Sequence, residues 1–94
     1  MNQNQLFKEI WEERAHKSEL SDEYLFQYGH QLWHWQFLHV LPKGSYPKWK
    51  LKKENIILGT VDEHKNQDHN PKFLKLREKL TREYYKEFYG KKFD

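Results

Sequence analysis

Two short apolar runs, separated by a loop rich in helix-breaking residues, constrain most strongly what this chain of 94 residues can fold into. The first run, 33–40, alternates so that Trp33, Trp35 and Phe37 would share one face of a strand. The second run, 55–58, opens on an asparagine and is otherwise apolar, as a buried strand would be. Prolines and a glycine in the intervening loop break any continuous helix. The sequence therefore predicts a two-stranded hairpin.

Helical periodicity flanks this hairpin on both sides. Residues 4–16 place apolar side chains at helical spacing among acidic ones, which predicts a short amphipathic helix that covers the core. Asn70 and Pro71 are suited to begin a second, longer helix, whose apolar positions recur over 73–89 before Gly90 ends it. We expect the apolar stripe of this last helix to pack on both the N-terminal helix and the hairpin.

Composition narrows the class of protein. The chain contains no cysteine, which excludes disulfides and thiolate zinc ligation. We expect one domain over 1–94, with no membrane span and no signal peptide, in the cytoplasm. Residues 1–32 carry three Lys or Arg against six Asp or Glu, and residues 33–94 carry fourteen against eight. A basic second part suits a polyanionic partner, although ordinary solvated surface is an alternative. Residues 17–31 fit either a short helix or an ordered loop.

The loop between the two apolar runs is strongly cationic. Its lysines are Lys43, Lys48, Lys50, Lys52 and Lys53. Trp49 and Leu51 alternate with three of them, which predicts an extended segment with one anchored and one cationic face. Ammonium groups on such a loop are natural contacts for the phosphates of a nucleic acid. A solubilising lysine face would give the same pattern.

Three residues in and beside the hairpin form a recognisable layout. His39 ends the first run and Pro42 follows three residues later, while Asn55 opens the second run and His64 lies nine residues beyond it. Over 33–69 this layout resembles the HNH (His-Me finger, ββα-metal) nucleases. The resemblance implies an α+β fold, in which a ββα-metal hairpin-helix core is flanked by the N-terminal helix and the long C-terminal amphipathic helix.

The resemblance also implies a division of chemical roles. His39 would be the general base, and Asn55 would orient it through local hydrogen bonds. His64 would be a ligand for one divalent metal ion that stabilises the leaving oxygen. Asp68, four residues on and hence on the same helical face, matches a further ligand of some members. Imidazole with carboxylate suits Mg²⁺, Mn²⁺, Ni²⁺ or Zn²⁺.

Two positions depart from the family pattern. Many members bind a structural zinc through cysteines that correspond here to Thr60 and Glu63, so we expect no structural zinc. The residue before the general base is usually Asp or His and binds the metal, whereas this chain has Leu38. Leu38 leaves enzymatic activity open, and an aspartate in its place is expected to tighten metal binding.

The function expected from these features is that of a small HNH-type DNA endonuclease, similar to those that bacteriophages encode, acting in the host cytoplasm. One alternative is a catalytically silent module on the same fold that binds nucleic acid or protein. The other is a small helical adaptor whose long C-terminal helix docks a protein partner.

Overall fold

A computed structural model describes residues 1–89, so that Gly90, expected to end the last helix, lies outside the described residues. Three α-helices and two strands form the regular structure in this part of the chain. They are α1 (Gln3–Glu13), β1 (Phe37–His39), β2 (Ile56–Leu58), α2 (Val61–Lys65) and α3 (Pro71–Tyr89). The prediction of an α+β domain with a hairpin between flanking helices is confirmed.

The hairpin is short and antiparallel. Phe37 pairs with Leu58, and His39 pairs with Ile56. The backbone N–H of Val40 donates to the carbonyl of Asn55 at 2.8 Å, which extends the ladder by one step beyond β1. Since successive side chains of a strand point to opposite faces, the hairpin has two faces that need cover.

Helix α1 covers the first face. Its buried residues are Leu6, Phe7, Ile10 and Trp11. They join Phe37, Ile56 and Leu58 in one apolar cluster, in which the rings of Phe7 and Phe37 stack with centroids 4.1 Å apart. The helix ends at Glu13, before the predicted boundary, because Arg14 adopts an extended conformation. The Arg14 guanidinium donates to the carbonyl of Ile56 at 2.6 Å, which ties the end of α1 to β2.

Helix α3 covers the opposite face. It begins at Pro71 with the Asn70 side chain accepting from the N–H of Phe73 at 3.1 Å, as the sequence predicts. Its buried residues, Phe73, Leu80 and Tyr84, share a second cluster with Leu38, Val40, Leu41, Trp49 and Ile57. Packing on the hairpin is therefore confirmed. The expected packing on α1 is wrong, because α1 lies with the cluster on the other face.

The predicted strand over 33–40 is only half right. Trp33–Gln36 forms a 3-10 helix, and β1 begins at Phe37. Consequently Trp35 is 55% exposed instead of sharing a face with Trp33. The physical reason is Gln36, which is buried and whose side-chain amide accepts from the N–H of Phe26 at 2.6 Å and donates to its carbonyl at 3.0 Å.

The segment between α1 and this 3-10 helix is an ordered loop, which resolves the alternatives left open for 17–31. It is fastened to the outer edge of β2, since the N–H of Glu19 donates to the carbonyl of Leu58 at 2.7 Å. The Glu19 carboxylate in turn accepts from the N–H of Leu58 at 2.7 Å. Within residues 1–89 no helix has both the length and the apolar composition required to span a lipid bilayer.

Candidate functional site

One cavity of about 400 Å³ brings together residues of α1, of the segment that ends in β1, of the loop after β1 and of α2. It is lined by Gln3, Phe7, His34, Trp35, Phe37, His39, Lys43 and His64. The end of β1 supplies His39, helix α2 supplies His64, and the loop after β1 supplies Lys43. Two of the predicted site histidines therefore face one space, although they are 25 positions apart in the sequence.

The ring of His39 is held in a defined tautomer. Its Nε2 lies 2.9 Å from the backbone carbonyl oxygen of Lys50. Because a carbonyl oxygen can only accept, Nε2 must carry the proton, and the lone pair of the neutral ring is then on Nδ1. Burial lowers the pKa of His39, the bond to the Lys50 carbonyl raises it, and the charges of Lys43 and His64 lower it, with a net decrease from 6.5. His39 is thus a neutral imidazole near pH 7 with Nδ1 as its basic atom.

Asn55 fixes the loop that holds His39 in this state. It is fully buried, and its side-chain oxygen accepts from the N–H of Leu41 at 2.8 Å. Its side-chain nitrogen donates to the carbonyls of Leu41 at 3.1 Å and Trp49 at 3.3 Å. The amide therefore clamps both ends of the loop between the strands. Trp49 immediately precedes Lys50, so Asn55 acts on His39 through the loop backbone.

His64 approaches the cavity from helix α2. Its ring lies 5.7 Å from the ring of Trp35 in a perpendicular arrangement. Burial lowers the pKa of His64 below its ordinary value, so this ring is also neutral near pH 7. A neutral imidazole is the form that can bind a metal ion.

Helix α2 itself is held at its start by Thr60 and Glu63. Thr60 accepts from the N–H of Glu63 at 3.1 Å, and Glu63 accepts from the N–H of Thr60 at 2.7 Å, forming a capping box. The hydroxyl of buried Ser18 also donates to Glu63 at 2.5 Å. Burial raises the pKa of Glu63, but these hydrogen bonds outweigh it and lower the pKa. The carboxylate therefore stays ionised and anchors the start of α2.

Asp68 does not join His64 in the cavity. Helix α2 ends at Lys65, and Asp68 lies in the following 3-10 turn, Gln67–His69. The expected placement of His64 and Asp68 on one face of one helix is therefore wrong. The Asp68 carboxylate is largely exposed and pairs with the Arg77 guanidinium at 3.2 Å. The physical reason is Asn66, whose side chain donates to the carbonyl of Asp62 at 3.0 Å where the helix ends.

Leu38 points away from the cavity. Phe37 and His39 line it, and Leu38, between them in β1, is fully buried in the cluster under α3. The alternation of β1 thus directs position 38 to the opposite face of the hairpin. The expectation that an aspartate at this position would supply a metal ligand is not supported by this orientation.

The five loop lysines do not form one cationic face. The segment is not extended, since Pro47–Trp49 is a 3-10 helix. Lys48 lies 4.4 Å above the ring of Phe88, and Lys52 lies 4.0 Å above the ring of Trp49. Lys53 pairs with α1 carboxylates, at 2.9 Å from Glu9 and 2.6 Å from Glu13.

Two of the lysines remain closely associated with the cavity. Lys43 lines it, and its ammonium group donates to the neutral side chain of Gln3 at 2.9 Å, so its charge is not cancelled by this contact. Lys50 is exposed and contributes its backbone carbonyl to His39.

The donors in the cavity fit part of a metal site. None of the lining side chains is a carboxylate, and within residues 1–89 no group of three or more His, Cys, Asp or Glu is arranged to hold a metal ion. His34, His39 and His64 are the imidazoles of the lining, and His64 is the one that the HNH resemblance assigns as a metal ligand. Mg²⁺ at phosphate-processing sites is usually bound through one or two carboxylates and completes its coordination with water and substrate phosphate. A single histidine without a carboxylate lacks that ligand type, so the lining residues form an incomplete metal site.

No family model matches this chain, and neither a curated protein nor a solved structure matches it. The HNH resemblance therefore stays a prediction that rests on the residues themselves.

The sequence reading did not identify His34, Trp35 or Gln3 as cavity residues. His34 and Trp35 line the cavity because the chain turns through a 3-10 helix just before β1. The alternating pattern of 33–40 pointed to a strand, and the only contrary signal was the polar Gln36 next to an aromatic run. Gln3 reaches the cavity from the first turn of α1, for which the sequence held no signal.

Proposed function

We propose that this protein is a small HNH-type nuclease that hydrolyses phosphodiester bonds of nucleic acid, with His39 as the general base. The observation that carries the proposal is the hydrogen bond from His39 Nε2 to the Lys50 carbonyl, which leaves the Nδ1 lone pair as the basic atom. The loop clamp made by Asn55 supports it, since a general base must be held in one orientation.

The proposed reaction uses few protein groups. Nδ1 of His39 accepts a proton from a water molecule as the water oxygen forms a bond to phosphorus. The bond from phosphorus to the 3′ oxygen breaks with its electron pair on that oxygen, which takes a proton from solvent water. Lys43, in the same cavity, supplies positive charge for the phosphate oxygens. His64 would hold a divalent ion, with water and phosphate oxygens as the remaining ligands. When bound, such an ion stabilises the leaving oxygen as a Lewis acid.

The donor set also bears on which metal ion to test. Imidazole ligands suit Zn²⁺ and Ni²⁺, whereas Mg²⁺ and Mn²⁺ prefer carboxylate, carbonyl and water. Since no carboxylate lines the cavity, we expect Ni²⁺ and Zn²⁺ to bind the free protein better than Mg²⁺ does.

A second candidate is a catalytically silent module that binds nucleic acid through the same cavity. It is favoured by the orientation of Leu38 and by the position of Asp68, which leave His64 without an obvious protein co-ligand. No such observation favours the helical adaptor, because the apolar stripe of α3 that would dock a partner is the one that packs on the hairpin.

Cleavage of supercoiled plasmid DNA separates these candidates. We expect the wild-type protein to nick the plasmid when Mg²⁺, Mn²⁺, Ni²⁺ or Zn²⁺ is supplied, and His39→Ala to lose about 100-fold or more of that activity. His69→Ala is the matched control, because His69 is an exposed histidine that lies outside this cavity. Binding of DNA without cleavage under any of these ions would favour the silent module. Absence of both binding and cleavage would refute the proposal.

A further inference from the structure

The tryptophans of this chain differ sharply in exposure. Trp11, Trp33 and Trp49 are between 2% and 6% exposed, whereas Trp35 is 55% exposed. More than half of Trp35 is exposed, and its indole belongs to neither of the two buried apolar clusters, so core packing accounts for little of its placement. The exposed ring lines the cavity that contains His39, Lys43 and His64.

The position of Trp35 is fixed by its surroundings. It lies in the 3-10 helix between two residues that are nearly fully buried, Trp33 and Gln36. Its backbone N–H donates to the carbonyl of Leu32 at 3.1 Å, and its ring meets the ring of His64 at 5.7 Å with planes 84° apart. The indole is therefore presented to the cavity from a rigid support.

We propose that Trp35 stacks on an unpaired base, so that the substrate at this site is single-stranded or locally unpaired nucleic acid. This inference rests on the proposed function and specifies its substrate class. An exposed indole beside a cationic group is the combination that single-strand-binding surfaces use, with the aromatic ring for a base and the cation for a phosphate. The faces of bases in an intact duplex are covered by their neighbours, and a base must be unstacked before a side chain can reach it.

The other residues of the cavity agree with such a ligand. Lys43 is the only Lys or Arg among the lining residues, and no Asp or Glu is among them. A volume of about 400 Å³ is within the range of pockets that take small ligands. With its base on Trp35, a nucleotide would carry its phosphate towards Lys43 and His39 in the same cavity.

Binding of a short oligothymidylate tests the inference in the presence of EDTA, which prevents metal-dependent cleavage. The key comparison is an abasic strand of equal length, which carries the same phosphates without bases. We expect the oligothymidylate to bind roughly 5- to 100-fold more tightly than the abasic strand, as stacking on an aromatic side chain typically provides. Trp35→Ala should remove that difference and leave the affinity for the abasic strand unchanged.

Two further variants make the test specific. Trp35→Phe keeps a stacking ring, so it should retain part of the preference for the oligothymidylate. In the wild type the bound oligothymidylate should quench the fluorescence of Trp35, and this part of the signal should be absent from Trp35→Phe. Tyr24→Ala is the control, because Tyr24 is 81% exposed and lies outside the cavity; it should bind both strands as the wild type does.

The outcomes distinguish the inference from the function on which it rests. Equal, salt-dependent binding of the oligothymidylate, the abasic strand and a duplex, unaffected by Trp35→Ala, would overturn the stacking inference and leave a nucleic-acid-directed function intact. Failure of all three polyanions to bind would overturn both.

Discussion

Replacement of Asn55 by alanine should destabilise the protein more than alanine replacement of any other hydrogen-bonding side chain of the hairpin. The change removes hydrogen bonds to the N–H of Leu41 at 2.8 Å and to the carbonyls of Leu41 and Trp49 at 3.1 and 3.3 Å. Leu41 and Trp49 are 0% and 3% exposed, so water cannot readily replace the lost partner.

The expected magnitude follows from these orphaned groups. A buried polar group left unsatisfied costs about 1–3 kcal/mol, and the carbonyls lose less than the N–H because each retains a second lone pair. We therefore expect Asn55→Ala to lower the free energy of unfolding by about 3–5 kcal/mol, a large part of the roughly 5–15 kcal/mol typical of a domain.

Urea denaturation followed by circular dichroism measures this loss. Asn66→Ala is the matched control, because the Asn66 side chain donates one exposed hydrogen bond, at 3.0 Å, to the carbonyl of Asp62. Its loss should stay below about 1 kcal/mol. If Asn55→Ala were no more destabilising than Asn66→Ala, the idea that the Asn55 amide clamps the loop would be refuted.

The remaining predictions concern pH, position 38 and a close glycine contact. Burial lowers the pKa of His39 and of His64 below 6.5, so the unfolded chain binds more protons than the folded protein just below that pH. The free energy of unfolding should therefore fall as the pH drops below 6.5, and it should fall less in His39→Gln. Thermal unfolding measured over a series of pH values tests this. Leu38→Asp should lower the free energy of unfolding by about 3–5 kcal/mol, because it buries an unpaired carboxylate. Calorimetry should show no gain in affinity for Ni²⁺. Tighter Ni²⁺ binding by a folded variant would show instead that the side chain reaches the cavity. Gly59→Ala should lower the free energy of unfolding by about 1–2 kcal/mol in urea denaturation, because the added Cβ would lie 3.1 Å from Leu38 Cδ1. Gly44→Ala is the control and should be nearly neutral, since an added Cβ there has nothing within 4 Å. Equal effects of the two changes would refute the importance of the Leu38 contact.

Features determined by nearby residues were predictable from the sequence. The cap of α3 depends on Asn70 and Pro71, which are adjacent to the helix they begin. The start of α2 is also set locally, by Thr60 together with Glu63, three residues on. The buried stripes of α1 and α3 follow from helical spacing alone. Local hydrogen bonding and periodicity account for all of these elements.

Features that depend on distant partners were not predictable. Gln36 ends up buried because the backbone of Phe26 satisfies its amide, and this contact turns the predicted strand into a 3-10 helix that exposes Trp35. Of the site residues, His39 and His64 meet in one cavity, whereas Asp68 is drawn to Arg77 on α3. Neither the contact of Gln36 with Phe26 nor that of Asp68 with Arg77 has a signature in the local sequence.

Rescue of His39→Ala by added imidazole tests the central claim most directly, since it asks whether a proton acceptor is what the site requires. Cleavage should fall about 100-fold or more in His39→Ala and should recover in part when imidazole is added, in proportion to its neutral form. His69→Ala, at an exposed histidine outside the cavity, should cleave as the wild type does and gain nothing from imidazole. Cleavage by His39→Ala at the wild-type rate, without imidazole, would contradict the assignment of His39 as the general base.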